Sequence, residues 1–185
     1  MSDTKTVGKL YYLWKFLTIP VSYLQTQELF SACKSGNFKS AKRAVQLGAD
    51  INKLKYIGRY DNGIPNGAGD ECRMYISPLI VAASAASHHQ NNQQYYNIIS
   101  FLIRQPKLDL NRVVMTIEKE THPYAVLRED LSLTQVLASK FRNQARTSHF
   151  IFYPEQHYPI SDLTAAYIRQ ELYAVQSMKN KTLSR

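Results

Sequence analysis

The stretch Gln27–Asn52 reads QELFSACKSGNFKSAKRAVQLGADIN and gives the clearest indication of the fold. Apolar residues recur at helical spacing on both sides of Gly36-Asn37, a pair that is typical of a tight turn. Gly48 stands where a helix commonly ends on a left-handed residue. Two helices this short cannot bury their own apolar faces, so the pattern predicts a helix-turn-helix pair that packs against further elements.

This stretch resembles an ankyrin repeat, with its small-residue first helix, Gly-Asn turn, second helix and closing Gly-Ala-Asp-Val-Asn. The matching residues are Ala32, Gly36-Asn37 and Gly48–Asn52. A second copy begins at Ser77–Ala83, which is similar to the family's Thr-Pro-Leu-His-x-Ala-Ala except that Ser replaces Thr and Ile80 replaces His.

The second copy ends at Leu108–Asn111, where Gly is absent and Pro106 stops the helix instead. A third, degraded copy starts near Leu131. The copies lie farther apart than the roughly 33 residues of a regular ankyrin array. The extra residues fall mainly in the connections between the repeats.

The resemblance implies an all-α fold, a short ankyrin-like solenoid of stacked helix-turn-helix pairs with enlarged inter-repeat loops and capping helices at both ends. We expect residues 1–185 to form a single domain, since this length can bury one core. Its predicted parts are an N-terminal capping helix 9–24, repeats 27–52 and 77–111, an enlarged loop 53–76, an irregular connection 112–130, a degraded repeat 131–145 and a C-terminal helix 161–179.

The segment Lys9–Leu24 is dense in aromatic residues and leaves three readings open. Lys15 and Pro20 interrupt it, which argues against a secretory signal or a membrane span. It fits a helix that caps the first repeat, an anchor at a membrane interface that inserts Trp14, or a partner-binding segment.

The connection 53–76 contains two tight-turn signals, Asp61-Asn62-Gly63 and Pro65-Asn66-Gly67, between flanks of strand character. Long ordered loops in compact domains are often functional, whereas a tolerated insertion costs little free energy. Both readings stay open from the residues alone.

The formal net charge is +9 and is spread along the chain without a long basic run. A nucleic-acid binder usually concentrates its basic residues, so the charge indicates general attraction to acidic proteins and anionic lipid surfaces. The two cysteines, Cys33 and Cys72, do not suggest a disulfide framework. We therefore expect a reducing, cytoplasmic compartment.

No motif predicts catalysis, a cofactor or a small-molecule site. The adjacent pair His88-His89 cannot share one helical face and has no Cys or carboxylate nearby in sequence, so we expect no metal site there. Ankyrin-like scaffolds are non-catalytic binding modules as a family, which implies that this protein is not an enzyme.

The resemblance implies a protein–protein interaction module that grips a partner protein with its loops and first helices. Tyrosine, arginine and methionine are enriched in interface cores, so we expect Tyr56, Arg59, Tyr60, Met74 and Tyr75 of the first connection at this surface. His88 and His89 are expected there as well, because they would lie near the helix turns. The small irregular chain also resembles effector proteins that intracellular bacteria deliver into host cells, which implies a host protein as partner and delivery into the host cell without a cleaved N-terminal signal. The alternatives are an electrostatic binder of nucleic acid or anionic membrane, and an enzyme whose site is built by residues 147–160.

Overall fold

The computed structural model describes residues 20–61, 71–89, 92–121, 125–137 and 160–183. These residues form both helices and an antiparallel sheet, so the expectation of an all-α fold is wrong. The helices are α1 (Val21–Ser35), α2 (Phe38–Gln46), α3 (Pro78–His88), α4 (Gln93–Ile103), α5 (Leu133–Leu137) and α6 (Asp162–Leu183). The strands are β1 (Lys55–Asp61), β2 (Glu71–Ile76), β3 (Val113–Thr121) and β4 (Ala125–Ser132).

Local signals place the ends of the first four helices. α1 ends at Gly36, which has φ 71°, and the Asn37 side chain then caps α2 by accepting from the Ser40 N–H at 3.0 Å. Ser77 caps α3, with Pro78 in the first helical position. Asn92 caps α4 in the same way, through the N–H of Gln94.

The helices form two pairs, α1 with α2 and α3 with α4. The two pairs pack on one another, with α1 against α3 and α2 against α4. Fully buried aliphatic side chains fill the space between them: Leu29, Leu79, Ile80, Ile98, Ile99 and Leu102. Neither pair could exclude water from these side chains alone, so their stability depends on the stacking.

The two pairs end in matching turns. Asp50 accepts from the Asn52 N–H at 2.9 Å, and Asp109 accepts from the Asn111 N–H at 3.0 Å. The Asn52 amide also joins the two turns, because it donates to the Lys107 carbonyl at 2.8 Å and accepts from the Asp109 N–H at 3.0 Å.

The sheet arises from the two connections that the sequence marked as irregular. β1 and β2 come from residues 53–76, β3 and β4 come from residues 113–132, and the strand order is β1-β2-β3-β4 with antiparallel neighbours. The β2–β3 pairing joins the two connections, with Met74 opposite Ile117 and Ile76 opposite Met115. One face of the sheet therefore belongs to the core: Met74, Ile76, Met115, Ile117 and Leu131 are buried.

Leu131, where the degraded third repeat is predicted to begin, lies in the last strand of the sheet. Leu131 of β4 pairs with Met115 of β3. The short α5 follows, and residues 138–145 lie outside the described part of the chain. The apolar spacing that suggested a helix from Leu131 instead serves a strand and a single helical turn.

α6 covers the second helix pair, where the sequence placed a C-terminal helix at 161–179. Ser161 caps it by accepting from the Thr164 N–H at 3.2 Å, and α6 packs against α3 and α4. Glu171 anchors it to α4 through the Ser100 hydroxyl at 2.9 Å and Arg104 at 3.0 Å.

Residues 9–19 of the predicted N-terminal capping helix lie outside the described residues, whereas residues 21–24 form the first turn of α1. None of the described helices has the length and apolar character needed to cross a membrane.

Candidate functional site

A groove of about 670 Å³ opens between α1, the start of β1, and α3. These three elements meet because the first helix pair stacks on the second while β1 leaves the first pair through residues 53–54. The groove is lined by Phe30, Ser31, Lys34, Lys55, Tyr56, Ile57, Val81, Ser84, Ala85, His88 and His89.

Helical spacing explains the two helix walls. Phe30 and Lys34 are one turn apart on α1, and four α3 side chains share a face at successive turns, Val81, Ser84, Ala85 and His88. Nearer the core, Phe30, Val81 and Ser84 are buried and all but Ser84 are apolar, whereas Ser31, Lys34, His88 and His89 are exposed. The groove therefore has an apolar floor and a polar rim.

Lys55 is fixed at the rim by an aromatic contact. Its Nζ lies 5.4 Å from the centre of the Phe30 ring, an arrangement in which the ring attracts the ammonium group. The contact joins β1 to α1 and holds one positive charge beside the apolar floor.

A chain of contacts builds the opposite end of the groove. The His89 ring stacks on Tyr95 with centroids 5.5 Å apart, and the Tyr95 hydroxyl donates to the Lys34 carbonyl at 3.3 Å. Gly36 lies against the same Tyr95 ring, which leaves no room for a side chain there. Tyr95 thus positions a groove residue from each helix pair.

The strand wall continues onto the polar face of the sheet. The Tyr56 and Tyr75 rings lie 5.5 Å apart, and Tyr75 is half-buried behind Tyr56. Burial raises the pKa of Tyr75, and the charge of Glu118, to which its hydroxyl is hydrogen bonded, raises it further. Tyr75 therefore stays a neutral hydroxyl that supports Tyr56.

The structure brings together three of the residues expected at the surface. Tyr56, His88 and His89 line the groove, and Tyr75 contacts Tyr56 from the side. Tyr56 is 46% exposed despite its size, which leaves a large aromatic surface free on the described part of the chain.

The structure does not place the other three expected residues in the groove. Met74 is fully buried on the core face of β2, since neighbouring strand residues point to opposite faces and Tyr75 occupies the polar one. Arg59 and Tyr60 belong to β1, opposite Arg73 and Cys72, and their side chains lie outside the described residues.

The sequence did not predict that Lys34, Lys55 and the apolar floor would line one groove. Lys34 and Lys55 are separated by α2 in the chain and become neighbours of one groove only through the fold. The available signal was the spacing of Phe30 and Lys34, which places them on one face of the predicted first helix.

On the polar face of the sheet, an ionised carboxylate secures a buried hydroxyl. Thr116 is buried, and its hydroxyl donates to Asp130 Oδ1 at 2.6 Å. This hydrogen bond, assisted by Arg128 at 3.1 Å, holds the pKa of Asp130 below its ordinary value against the opposing effect of desolvation.

We expect Asp130→Ala to lower the free energy of unfolding by about 1 kcal/mol near neutral pH, because it leaves the buried Thr116 hydroxyl without its acceptor. A carboxyl group with a lowered folded-state pKa stabilises the fold above its ordinary pKa of about 4 and loses that effect as the pH falls. Urea unfolding of the wild type and the variant should therefore converge at acid pH.

The exposed neighbour Glu129, opposite the buried Ile117, provides the matched control. Glu129→Ala should leave the unfolding midpoint nearly unchanged at both pH values. A difference between wild type and Asp130→Ala that is constant with pH would contradict the role assigned to the ionised carboxylate.

The described residues supply no obvious catalytic or metal chemistry. Cys33 is a fully buried thiol whose pKa is raised by burial, so the thiolate form that acts as a nucleophile is strongly disfavoured. Among these residues no group of three or more His, Cys, Asp or Glu side chains could hold a metal ion. The groove between α1, β1 and α3 is a feature of the described residues that is suited to binding.

Comparisons of the chain with models of protein families, with curated proteins and with solved structures found no match. The resemblance to ankyrin repeats therefore stays a prediction from the residues. The function must be argued from the groove itself.

Proposed function

We propose that this protein is a non-catalytic interaction module that binds a segment of another protein in the groove between α1, β1 and α3. The observation that carries the proposal is an apolar floor, Phe30 and Val81, flanked by an exposed tyrosine and by exposed polar side chains. Binding surfaces of proteins commonly combine buried aromatic anchors with a polar rim of this kind.

Rigidity supports the proposal. α1 and α3 are fixed by the core, Lys55 is held over Phe30, and Tyr95 connects the end of α1 to His89. A partner that binds a preformed groove loses less free energy to ordering of the protein than one that binds a loose loop.

The proposal keeps an ankyrin-like relation between the two helix pairs, without the all-α architecture. The matching turns at Asp50 and Asp109, bridged by Asn52, support that relation. It also keeps a protein partner, with a host protein as the hypothesis drawn from the effector-like character of the chain. A cytoplasmic site of action is proposed from the buried free thiol of Cys33.

A variant that fills the groove tests the proposal. Ser31 is exposed and lines the groove, so Ser31→Trp should obstruct it without disturbing the core. Peptides selected from a random display library against the full chain should bind the wild type in fluorescence anisotropy and lose about tenfold in affinity or more against Ser31→Trp.

Gln46→Trp adds the same side chain to an exposed position of α2 outside the groove and should bind like the wild type. Both variants should melt within a few degrees of the wild type. If selection yields no peptide that distinguishes Ser31→Trp from Gln46→Trp, the groove is not the binding surface and the proposal fails.

A further inference from the structure

We infer that the occupant of the groove is an acidic, extended segment of the partner protein, in which carboxylates alternate with apolar side chains. This inference rests on the proposed function and adds the chemistry of the partner. The inference follows from the charges around the groove and from the arrangement of its apolar floor and polar rim. It also follows from the net charge of the long segments of the chain that the structure does not describe.

The described residues that line the groove are cationic and include no acidic side chain. Lys34 and Lys55 stand on different walls, together with the imidazoles of His88 and His89. Partner charges of the opposite sign are favoured at such a surface, both in the bound state and during approach.

The acidic residues on the polar face of the sheet do not cancel the positive charge of the groove lining. Glu118 and Asp130 both lie beside Arg128, at 3.6 Å and 3.1 Å, and this arginine compensates one of their two negative charges. They also stand on β3 and β4, beyond Tyr75, whereas the groove is bounded by β1.

Of the two lysines at the rim, Lys55 gives the stronger evidence for an acidic partner. Lys34 and His88 lie in the last turns of α1 and α3, where cations also offset the negative end of the helix dipole. Lys55 lies on a strand, so the helix dipole does not explain its placement, and its ammonium is fixed 5.4 Å from the Phe30 ring at the edge of the floor.

The shape of the groove indicates how such a segment would lie. The apolar floor runs past Phe30, Val81 and Ala85, while the two lysines stand at the rim. Successive side chains of an extended peptide point to opposite sides, so apolar residues can enter the floor while the acidic residues between them reach the rim.

The two long undescribed segments of the chain have the wrong charge to be this occupant, and the shorter segment 62–70 contains a single carboxylate, Asp70, so it cannot alternate carboxylates with apolar side chains. Residues 1–19 contain three lysines and one aspartate, and residues 138–159 contain one lysine, two arginines and one glutamate. Both are net positive and would be repelled by a cationic rim. Charge complementarity therefore favours a separate, acidic molecule.

The experiment selects peptides from an unbiased display library against the full chain and compares the net charge of the enriched peptides with that of the input. Enriched peptides should be acidic and should contain alternating apolar positions. Their affinity, measured by fluorescence anisotropy, should fall about tenfold or more on Lys34→Glu/Lys55→Glu and by a smaller factor on Lys34→Glu alone.

The control is Lys39→Glu/Lys42→Glu, which makes the same change in net charge on exposed positions of α2 outside the groove. It should retain most of the affinity. Because Lys55→Glu removes the contact with Phe30, thermal melts accompany each variant, and Lys34→Glu, which keeps that contact, gives a second test if the double variant unfolds.

The failures of the two proposals are distinguishable. Enriched peptides that are neutral or basic, yet sensitive to Ser31→Trp, would overturn the acidic partner and leave the binding groove in place. Equal losses of affinity for the groove variants and the α2 charge variants would also overturn the acidic partner, since the attraction would then be general.

Labelled oligothymidylate that binds more tightly than any peptide and depends on Lys34 and Lys55 would replace the acidic partner with a nucleic acid. Absence of any peptide sensitive to Ser31→Trp would overturn the proposed function and the inference together.

Discussion

Met74→Ala is expected to lower the free energy of unfolding by about 3 kcal/mol, with a fall in melting temperature of roughly 9 °C for a chain of this size. Met74 is fully buried in the core face of β2, opposite Ile117 of β3. Removal of its side chain would leave a cavity at the place where the two hairpins join, and the neighbouring side chains can close it only in part.

The variant distinguishes a core residue from a contact residue. Anisotropy with a selected peptide, measured at a temperature where Met74→Ala is still folded, should give an affinity within about twofold of the wild type, since Met74 does not line the groove. Tyr56→Ala is the reciprocal control. Tyr56 is 46% exposed in the groove, so its removal should weaken binding while the melting temperature changes little.

A Met74→Ala variant with an unchanged melting temperature and weakened binding would show that Met74 meets the partner, as its residue type suggested. The structure argues against that outcome because Met74 and Tyr75 are neighbours on one strand. Two adjacent strand residues point to opposite faces, and Tyr75 takes the face that adjoins Tyr56.

The helix pairs could be predicted from the sequence because their signals are local. Gly36, Asn37, Ser77 and Pro78 act within one or two turns of their own positions, and each marks a helix end in the structure. The matched turns at Asp50 and Asp109 are equally local.

The sheet could not be predicted in the same way, because its decisive pairing is long-range. Strand character was visible in both flanks of residues 53–76, but β2 and β3 are separated by the whole second helix pair. Alternation of apolar and polar residues indicates that a segment is a strand, but it does not indicate which other segment the strand pairs with. Leu131 was ambiguous for the related reason that a short apolar run fits either a strand or a helix.

The groove was predictable only in part. Tyr56, His88 and His89 were chosen by residue type and by the expected position of loops and helix ends, and they do share the groove. Lys55 gains its place from a contact with Phe30 across two elements, which no spacing within one element reveals. Alternation along the predicted strand shows that Met74 and Tyr75 cannot both face the partner, but only the structure shows that Met74 is the buried one.

Gly36→Ala is expected to lower the free energy of unfolding by about 2–4 kcal/mol through two separate effects. Gly36 has φ 71°, a left-handed conformation that costs alanine about 1 kcal/mol or more. A Cβ built on Gly36 would also lie 2.8 Å from Tyr95 Cζ and 3.1 Å from both adjacent ring carbons, which is closer than nonbonded carbon atoms approach.

Tyr95 cannot move aside without other losses. Its ring is 4% exposed, His89 stacks on it, and its hydroxyl donates to the Lys34 carbonyl. Displacement of the ring would therefore break contacts at the end of the groove, so Gly36→Ala should also weaken peptide binding, although Gly36 does not line the groove.

Gly48→Ala separates the two effects, because Gly48 has φ 95° and no atom lies within 4 Å of the position its Cβ would take. It should show the conformational cost alone, about 1 kcal/mol, and leave binding unchanged. A double-mutant cycle completes the argument: in a Tyr95→Ala background the cost of Gly36→Ala should fall to the value found for Gly48→Ala. If urea unfolding instead gave the same cost for Gly36→Ala with and without the Tyr95 ring, the packing of that ring on the turn would not be what requires glycine there. The turn would then be fixed by backbone conformation alone, and its connection to the groove through Tyr95 would be lost.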